Sequence, residues 1–122
     1  MSRWTVEIFP EGMDSHSIPE YFSALTEKDI ALLLHLIEQL EELGPDIQGT
    51  NMDKLITGSL RELRKDSHRI LYGRDGRNFA LLVAFRKDSQ KTPKRFITLA
   101  LGRFEEYKAA KRAEKVKKMV RK

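Results

Sequence analysis

The chain contains no cysteine. A disulfide framework and a thiolate metal site are therefore both excluded, in agreement with a reducing compartment. Long apolar runs are also missing. Every apolar stretch is broken by charge within about 20 residues, too soon to span a membrane. The first residues, MSRWTVEIFP, read as a strand and lack the apolar core of a signal peptide, so a cytoplasmic location is expected. There is no metal-ligand spacing, no G-x-x-x-x-G-K-[ST] phosphate loop and no nucleophile elbow. No metal and no cofactor is expected. Internal repeats and linkers are absent too. The 122 residues are expected to form a single domain, with about 111–122 as a basic, fraying tail.

What is present is charge, unevenly placed. Hydrophobic content is 40% and charged content 34%, fitting a globular protein with a heavily charged surface. The formal net charge of +5 hides an asymmetry. Residues 1–57 hold 3 basic and 11 acidic side chains, a net of −8. Residues 58–85 hold 6 and 3, and residues 86–122 hold 14 and 4, a net of +10. The basic half is a plausible polyanion surface, and the acidic half should face away from it.

The hydrophobic pattern gives an α+β fold. Trp4, Val6 and Ile8 alternate with Thr5, Glu7 and Phe9, a strand that stops at Pro10. Ser17-Ile18-Pro19-Glu20 reads as a capping box opening a short helix with Tyr21, Phe22 and Leu25 on one face. Thr26 starts a second helix carrying Ile30, Leu33, Leu34, Ile37 and Leu40, ended by Gly44-Pro45. Residues 46–57 read as a loop with a helical turn near Met52–Ile56. Three strands are expected at about Ser59–Lys65, His68–Arg74 and Asn78–Lys87, with turns at Asp66-Ser67 and Asp75-Gly76. The third is almost continuously apolar, as for a strand covered on both faces. The helices are expected on one side of the sheet. The last helix should bury Ile97, Ala100, Leu101, Phe104 and Tyr107.

The stretch Leu81–Leu101 carries the functional signal. An apolar strand enters a basic turn, and the turn runs directly into a helix. Thr92 suits the N-cap and Pro93 the first helical position. Lys94 and Arg95 then fall in the first turn, where the helix dipole favours acidic residues. With Lys87 and Lys91 just before, the cations oppose local stability unless an anion such as RNA phosphate docks there. A solvated basic loop is the alternative.

The segment Lys87-Asp88-Ser89-Gln90-Lys91-Thr92-Pro93-Lys94 after a strand resembles the signature of the HigB-like, phage-derived branch of the RelE/ParE toxin superfamily. Upstream, Leu60-Arg61-Glu62-Leu63-Arg64 and Arg69-Ile70-Leu71-Tyr72 resemble the family's L-x-E-L-R and R-[IV]-L-[YF] elements, in the family's order. The resemblance covers most of residues 3 to 110. It implies a RelE/ParE-like fold: a small antiparallel-rich sheet with an N-terminal helical hairpin and a C-terminal helix. It implies the toxin of a type II toxin–antitoxin pair, an endoribonuclease that inhibits translation by cutting mRNA in the ribosome. In that reaction the ribose 2′-OH attacks the adjacent phosphate, without a metal. The implied partners are the ribosome with its mRNA and an antitoxin carrying a helix-turn-helix. Operator DNA would be reached only through that antitoxin, since the helices here carry core stripes rather than a recognition pattern.

Arg64, Arg69, Lys87, Lys91 and Tyr72 are the expected catalytic residues. The two arginines match phosphate oxygens, the lysines transfer protons, and Tyr72 orients the nucleophile or stacks on a base. Arg61, Gln90, Lys94 and Arg95 are expected to bind RNA. Arg61 stands where the family often has tryptophan. The plainer readings are surface ion pairing of Arg64 and Arg69 with Glu62 and Asp66, and a core aromatic for Tyr72. His68 is a further acid–base candidate, with an exposed turn histidine as the plainer expectation. His16 and His35 receive no role. Two other functions stay open: a ParE-like, non-enzymatic inhibitor of DNA gyrase, and an inactive phage relic that only binds its antitoxin.

Overall fold

The computed structural model describes residues 4–10, 16–87 and 91–120. In chain order these form β1 (Thr5–Ile8), α1 (Ile18–Ser23), α2 (Glu27–Leu43), a 3₁₀ turn (Gly44–Ile47), β2 (Asp53–Thr57), β3 (Leu60–Lys65), β4 (His68–Asp75), β5 (Asn78–Arg86) and α3 (Lys94–Val120). The strands make one sheet in the order β1-β5-β4-β3-β2. β1 runs parallel to β5, and every other pair is antiparallel.

The fold is α+β, with three corrections to the sequence reading. A strand comes first, so the helical pair is not the N-terminal element. Residues 53–57 are a short edge strand, not a helical turn in a loop. The helices cover both faces of the sheet rather than one. The continuous apolar run of β5 requires this, because alternate side chains point to opposite faces. Phe79, Leu81 and Ala84 pack with Ile18, Leu33, Leu36 and Leu40 of α1 and α2. Ala80, Leu82, Val83 and Phe85 pack with Phe96, Ala100, Phe104 and Tyr107 of α3.

Both long helices turn a slightly different stripe inward than expected. In α2 Leu36 is buried and Leu34 is exposed. In α3 Phe96 is buried while Leu101 is 39% exposed, because Phe96 stacks on Phe85 at 4.5 Å and fixes the rotation of the helix. Arg103 is buried as well, and its guanidinium donates to the Leu82 carbonyl at 2.8 Å, where the β4–β5 register slips. Gly73 lets α3 approach β4: a Cβ there would lie 2.7 Å from the Phe104 ring. The helix continues to Val120 instead of ending near Ala110, although its last turns are exposed.

The helix starts also differ in detail. Thr26 caps α2 through its hydroxyl, which accepts from the Asp29 N–H at 3.2 Å. Ser17 makes no side-chain cap for α1. At α3 the Pro93 carbonyl accepts the N–H of Ile97 at 3.3 Å, so Pro93 rather than Thr92 sits at the cap position. Thr92 is engaged elsewhere, with consequences for the site.

Candidate active site

β3 and β4 are joined by the two-residue turn Asp66-Ser67, with Asp66 at φ +53. Aspartate tolerates that left-handed conformation better than most residues. The tight turn sets the register, and Arg64 lies directly opposite Arg69. Directly opposed residues share a face. Here that face also carries Leu60 and Leu71, so it is the one covered by α3. α3 begins at Lys94, and a cleft lies at the turn end of these strands.

Glu62 stands on the same face, two residues before Arg64, with a fully buried side chain. Its Oε1 lies 3.6 Å from Arg69 Nε, and its Oε2 accepts from the Thr92 hydroxyl at 2.8 Å. Oε1 and Arg69 Nε form an ion pair too long to be a hydrogen bond, and neither atom has a hydrogen-bond partner among the described residues. Arg69 Nη1 donates to the Asp66 and His68 carbonyls at 2.7 and 2.8 Å, which fixes the guanidinium plane. Burial pushes the Arg69 pKa below the ordinary arginine value; Glu62 opposes this and Arg64 reinforces it.

Lys87 follows β5, and its N–H donates to the Ser67 carbonyl at 2.8 Å. Burial lowers its pKa from the ordinary lysine value. Glu62 opposes the shift, while Arg69, Lys54 and Arg64 add to it. The amine therefore lies in the field of the same cluster. Lys54 lies opposite Glu62 in the β2–β3 register and adds its charge from the edge strand. A cleft of about 260 Å³ beside Arg64 and Arg69 is lined by Asn51, Met52, Lys65 and Asp66.

The cluster thus brings together Arg64, Arg69 and Lys87 around one buried carboxylate. Lys91, Lys94 and Arg95 are exposed at the entry to α3, with Arg95 over the Phe96 ring at 4.6 Å. Gln90 lies outside the described residues. Arg61 and Tyr72 are not brought to the cluster. They face α1 and α2, where the Tyr72 hydroxyl donates to Asp53 Oδ1 at 2.6 Å and Arg61 Nε and Nη2 donate to Asp53 Oδ2 at 2.9 and 2.6 Å. Tyr72 is 1% exposed, and burial raises its pKa far above the ordinary tyrosine value. It behaves as the core aromatic of the plainer reading.

His68 departs from both sequence readings of it. It is buried rather than exposed, on the α1 and α2 face. Its Nε2 faces Asp29 Oδ2 at 3.4 Å, and its Nδ1 lies 2.7 Å from the Tyr21 hydroxyl. The sequence reading also passed over Glu62, Thr92 and Lys54 as site residues. Strand parity carries a signal for Glu62, since residues 62 and 64 must share a face. Lys54 lay in the stretch read as a loop.

The α+β sheet thus carries an arginine pair and a lysine close together at one end. The family model of the phage-derived protein Gp49-like family (DUF891) matches residues 20–105, from α1 into α3 and across every described strand of the site. The chain belongs to that family, a RelE/ParE-like toxin family, which implies an antitoxin as partner in general. No curated protein matches the chain. No helix among the described residues is long and apolar enough to cross a membrane. Nor do the described residues include a group of three or more His, Cys, Asp or Glu side chains placed to hold a metal ion.

Proposed function

We propose that this chain is a HigB-like toxin acting in the cytoplasm, an endonuclease that cuts mRNA in the ribosome. The observation that carries the reading is the convergence of Arg64, Arg69 and Lys87 on one sheet face, around Glu62. A gyrase-binding surface has no need of such a cluster.

In this reading Arg64 and Arg69 hold the non-bridging oxygens of the scissile phosphate and neutralise the charge that grows in the transition state. Glu62 fixes Arg69 from behind. Lys87, its pKa lowered, takes the proton from the 2′-OH as the 2′-oxygen bonds to phosphorus. The bond from phosphorus to the 5′-oxygen breaks, and Lys91 supplies the proton to that leaving oxygen. The products are a 2′,3′-cyclic phosphate and a free 5′-OH. Gln90, Lys94 and Arg95 hold flanking RNA. The ribosome contributes part of the substrate geometry, so free RNA is a poor substrate. The antitoxin carries the helix-turn-helix, and this chain reaches operator DNA only through it.

Primer extension on mRNA from translating extracts tests the proposal, with wild type and Arg69→Ala at matched folded concentration. Wild type should cut within the reading frame, and the variant should lose about 10²–10³ in rate, as for a charged donor acting on the transition state. Uncut mRNA together with gyrase-dependent DNA breaks would move the chain to the gyrase inhibitors. Loss of both activities with antitoxin binding retained would mark it as a relic.

A further inference from the structure

Glu62 Oε1 and Arg69 Nε stand 3.6 Å apart, both buried and both without a hydrogen bond among the described residues. Opposite charges this close usually shorten to a charge-assisted hydrogen bond of about 2.7–2.9 Å. A buried donor and a buried acceptor left open are costly, so each must be held back by another contact.

The β3–β4 turn holds the arginine. Its Nη1 donates to the Asp66 and His68 carbonyls at 2.7 and 2.8 Å, while its Nη2 makes no hydrogen bond among the described residues. Thr92 holds the carboxylate. Its hydroxyl donates to Glu62 Oε2 at 2.8 Å, the one hydrogen bond of that side chain among the described residues. Thr92 is itself firmly mounted. Pro93 restricts its backbone to extended conformations. Just beyond, Phe96 is buried and stacks on Phe85 at 4.5 Å, which anchors the first turn of α3. Thr92 lies one residue ahead of the cap position, so its hydroxyl serves Glu62 rather than the helix.

We propose that Thr92 is a positioning residue of the arginine cluster: its hydroxyl holds Glu62 near enough to orient Arg69 and too far to take up its Nε–H. The arginine charge then stays available to an anion, which Nη2 can meet. Without the hydroxyl, Glu62 loses its hydrogen bond and turns onto Arg69 Nε. The tightened pair neutralises the guanidinium and draws it away from the anion. Thr92 touches no reacting atom and acts through Glu62 alone. This role rests on the reading that Arg69 holds a phosphate.

Thr92→Val keeps the β-branched shape and removes the donor. Two readouts apply to the whole chain: the Arg69 Nε–H resonance by NMR, and the binding of inorganic phosphate by calorimetry. Thr92→Val should move the Nε–H signal downfield, as a hydrogen bond to the carboxylate forms. Phosphate affinity should fall about tenfold, the scale of one misplaced charge-assisted hydrogen bond. Thr92→Ser restores the donor and should return both readouts to wild type. In a Glu62→Gln background, Thr92→Val should change neither, because a neutral amide has no charge to turn on the arginine. Should the valine variant fail to fold, Thr92→Ala makes the same comparison. A Thr92→Val protein that is less stable but keeps the wild-type Nε–H signal and phosphate affinity would reduce Thr92 to a tether for α3 and overturn the proposal. An equal loss of affinity in the Glu62→Gln background would overturn it too. The Nε–H signal needs no cleavage, so the two proposals fail separately. A downfield move in a protein that leaves mRNA uncut would sink the nuclease and leave the restraint, and cleavage without the move would do the reverse.

Discussion

The two faces of the sheet use the same residue types for opposite ends. On the face of α1 and α2, Arg61 closes on a fully buried Asp53 that also accepts from Tyr72, and His68 is held between Tyr21 and Asp29. On the face of α3, three residues along the same strand, Arg64 opens into a cleft opposite Arg69. There Glu62 and Arg69 stand 3.6 Å apart without a direct hydrogen bond. Satisfied polar groups fix a core, whereas partly satisfied charges at an open end have capacity left for a ligand. Arginine content says nothing by itself; the partner on the same face decides.

The largest break in this comparison is Asp53→Ala. It strands the Tyr72 hydroxyl in the core and leaves Arg61 without its bidentate partner. Removing one side of a buried pair costs about 3–5 kcal/mol, and the lower end applies because Arg61 keeps 21% exposure and can turn outward. Urea denaturation should show that loss, while cleavage per folded molecule stays near wild type. An Asp53→Ala protein of normal stability would show that the network is not structural.

Much of this division was legible in the sequence. Strand parity places Arg61 and Arg64, or Arg69 and Tyr72, on opposite faces, since each pair is three apart and the strands run unbroken through them. The family motif lists all four together and hides that geometry. The two-residue turn at Asp66-Ser67 was legible too, and it opposes Arg64 to Arg69. Other features were out of reach. β2 is a short edge strand whose DKLIT sequence carries a weak alternation, so Lys54 had no assigned face. The burial of His68 depends on α1 and α2 folding over the turn, a tertiary effect that no local pattern reports. Thr92 looked like a cap because its neighbours are those of a cap, yet its hydroxyl goes to Glu62, thirty residues away.

The contrast between the faces sharpens with Arg61→Ala and Arg64→Ala, one substitution for each side of β3. Arg64→Ala should lower mRNA cleavage by about 10²-fold through the loss of one phosphate donor. Its stability should stay within about 0.5 kcal/mol of wild type, as for a side chain outside any packed network. Arg61→Ala should do the reverse, lowering the urea midpoint with little loss of cleavage per folded molecule. If the two variants behaved alike in both assays, the separation by face would fail.

The smallest effect is a pH dependence at Lys87. Burial and the neighbouring Arg69, Lys54 and Arg64 lower its pKa, against the pull of Glu62. A general base works as the neutral amine. Below that lowered pKa, each rise in pH enlarges the neutral fraction, so cleavage should climb with pH, by at most about tenfold per unit. A lysine serving only as a phosphate contact works as the cation, and cleavage would fall as pH rises through the same pKa. The sign of the slope therefore separates the two roles. Single-turnover cleavage between about pH 6.5 and 8.5, on ribosomes loaded with one mRNA, reads that slope directly. Lys87→Arg is the companion variant: it keeps the positive charge and cannot deprotonate in this range, so it should cut slowly and with a flat profile. A falling wild-type profile, or a Lys87→Arg protein as fast as wild type, would reassign Lys87 to phosphate binding and leave the proton from the 2′-OH to another group.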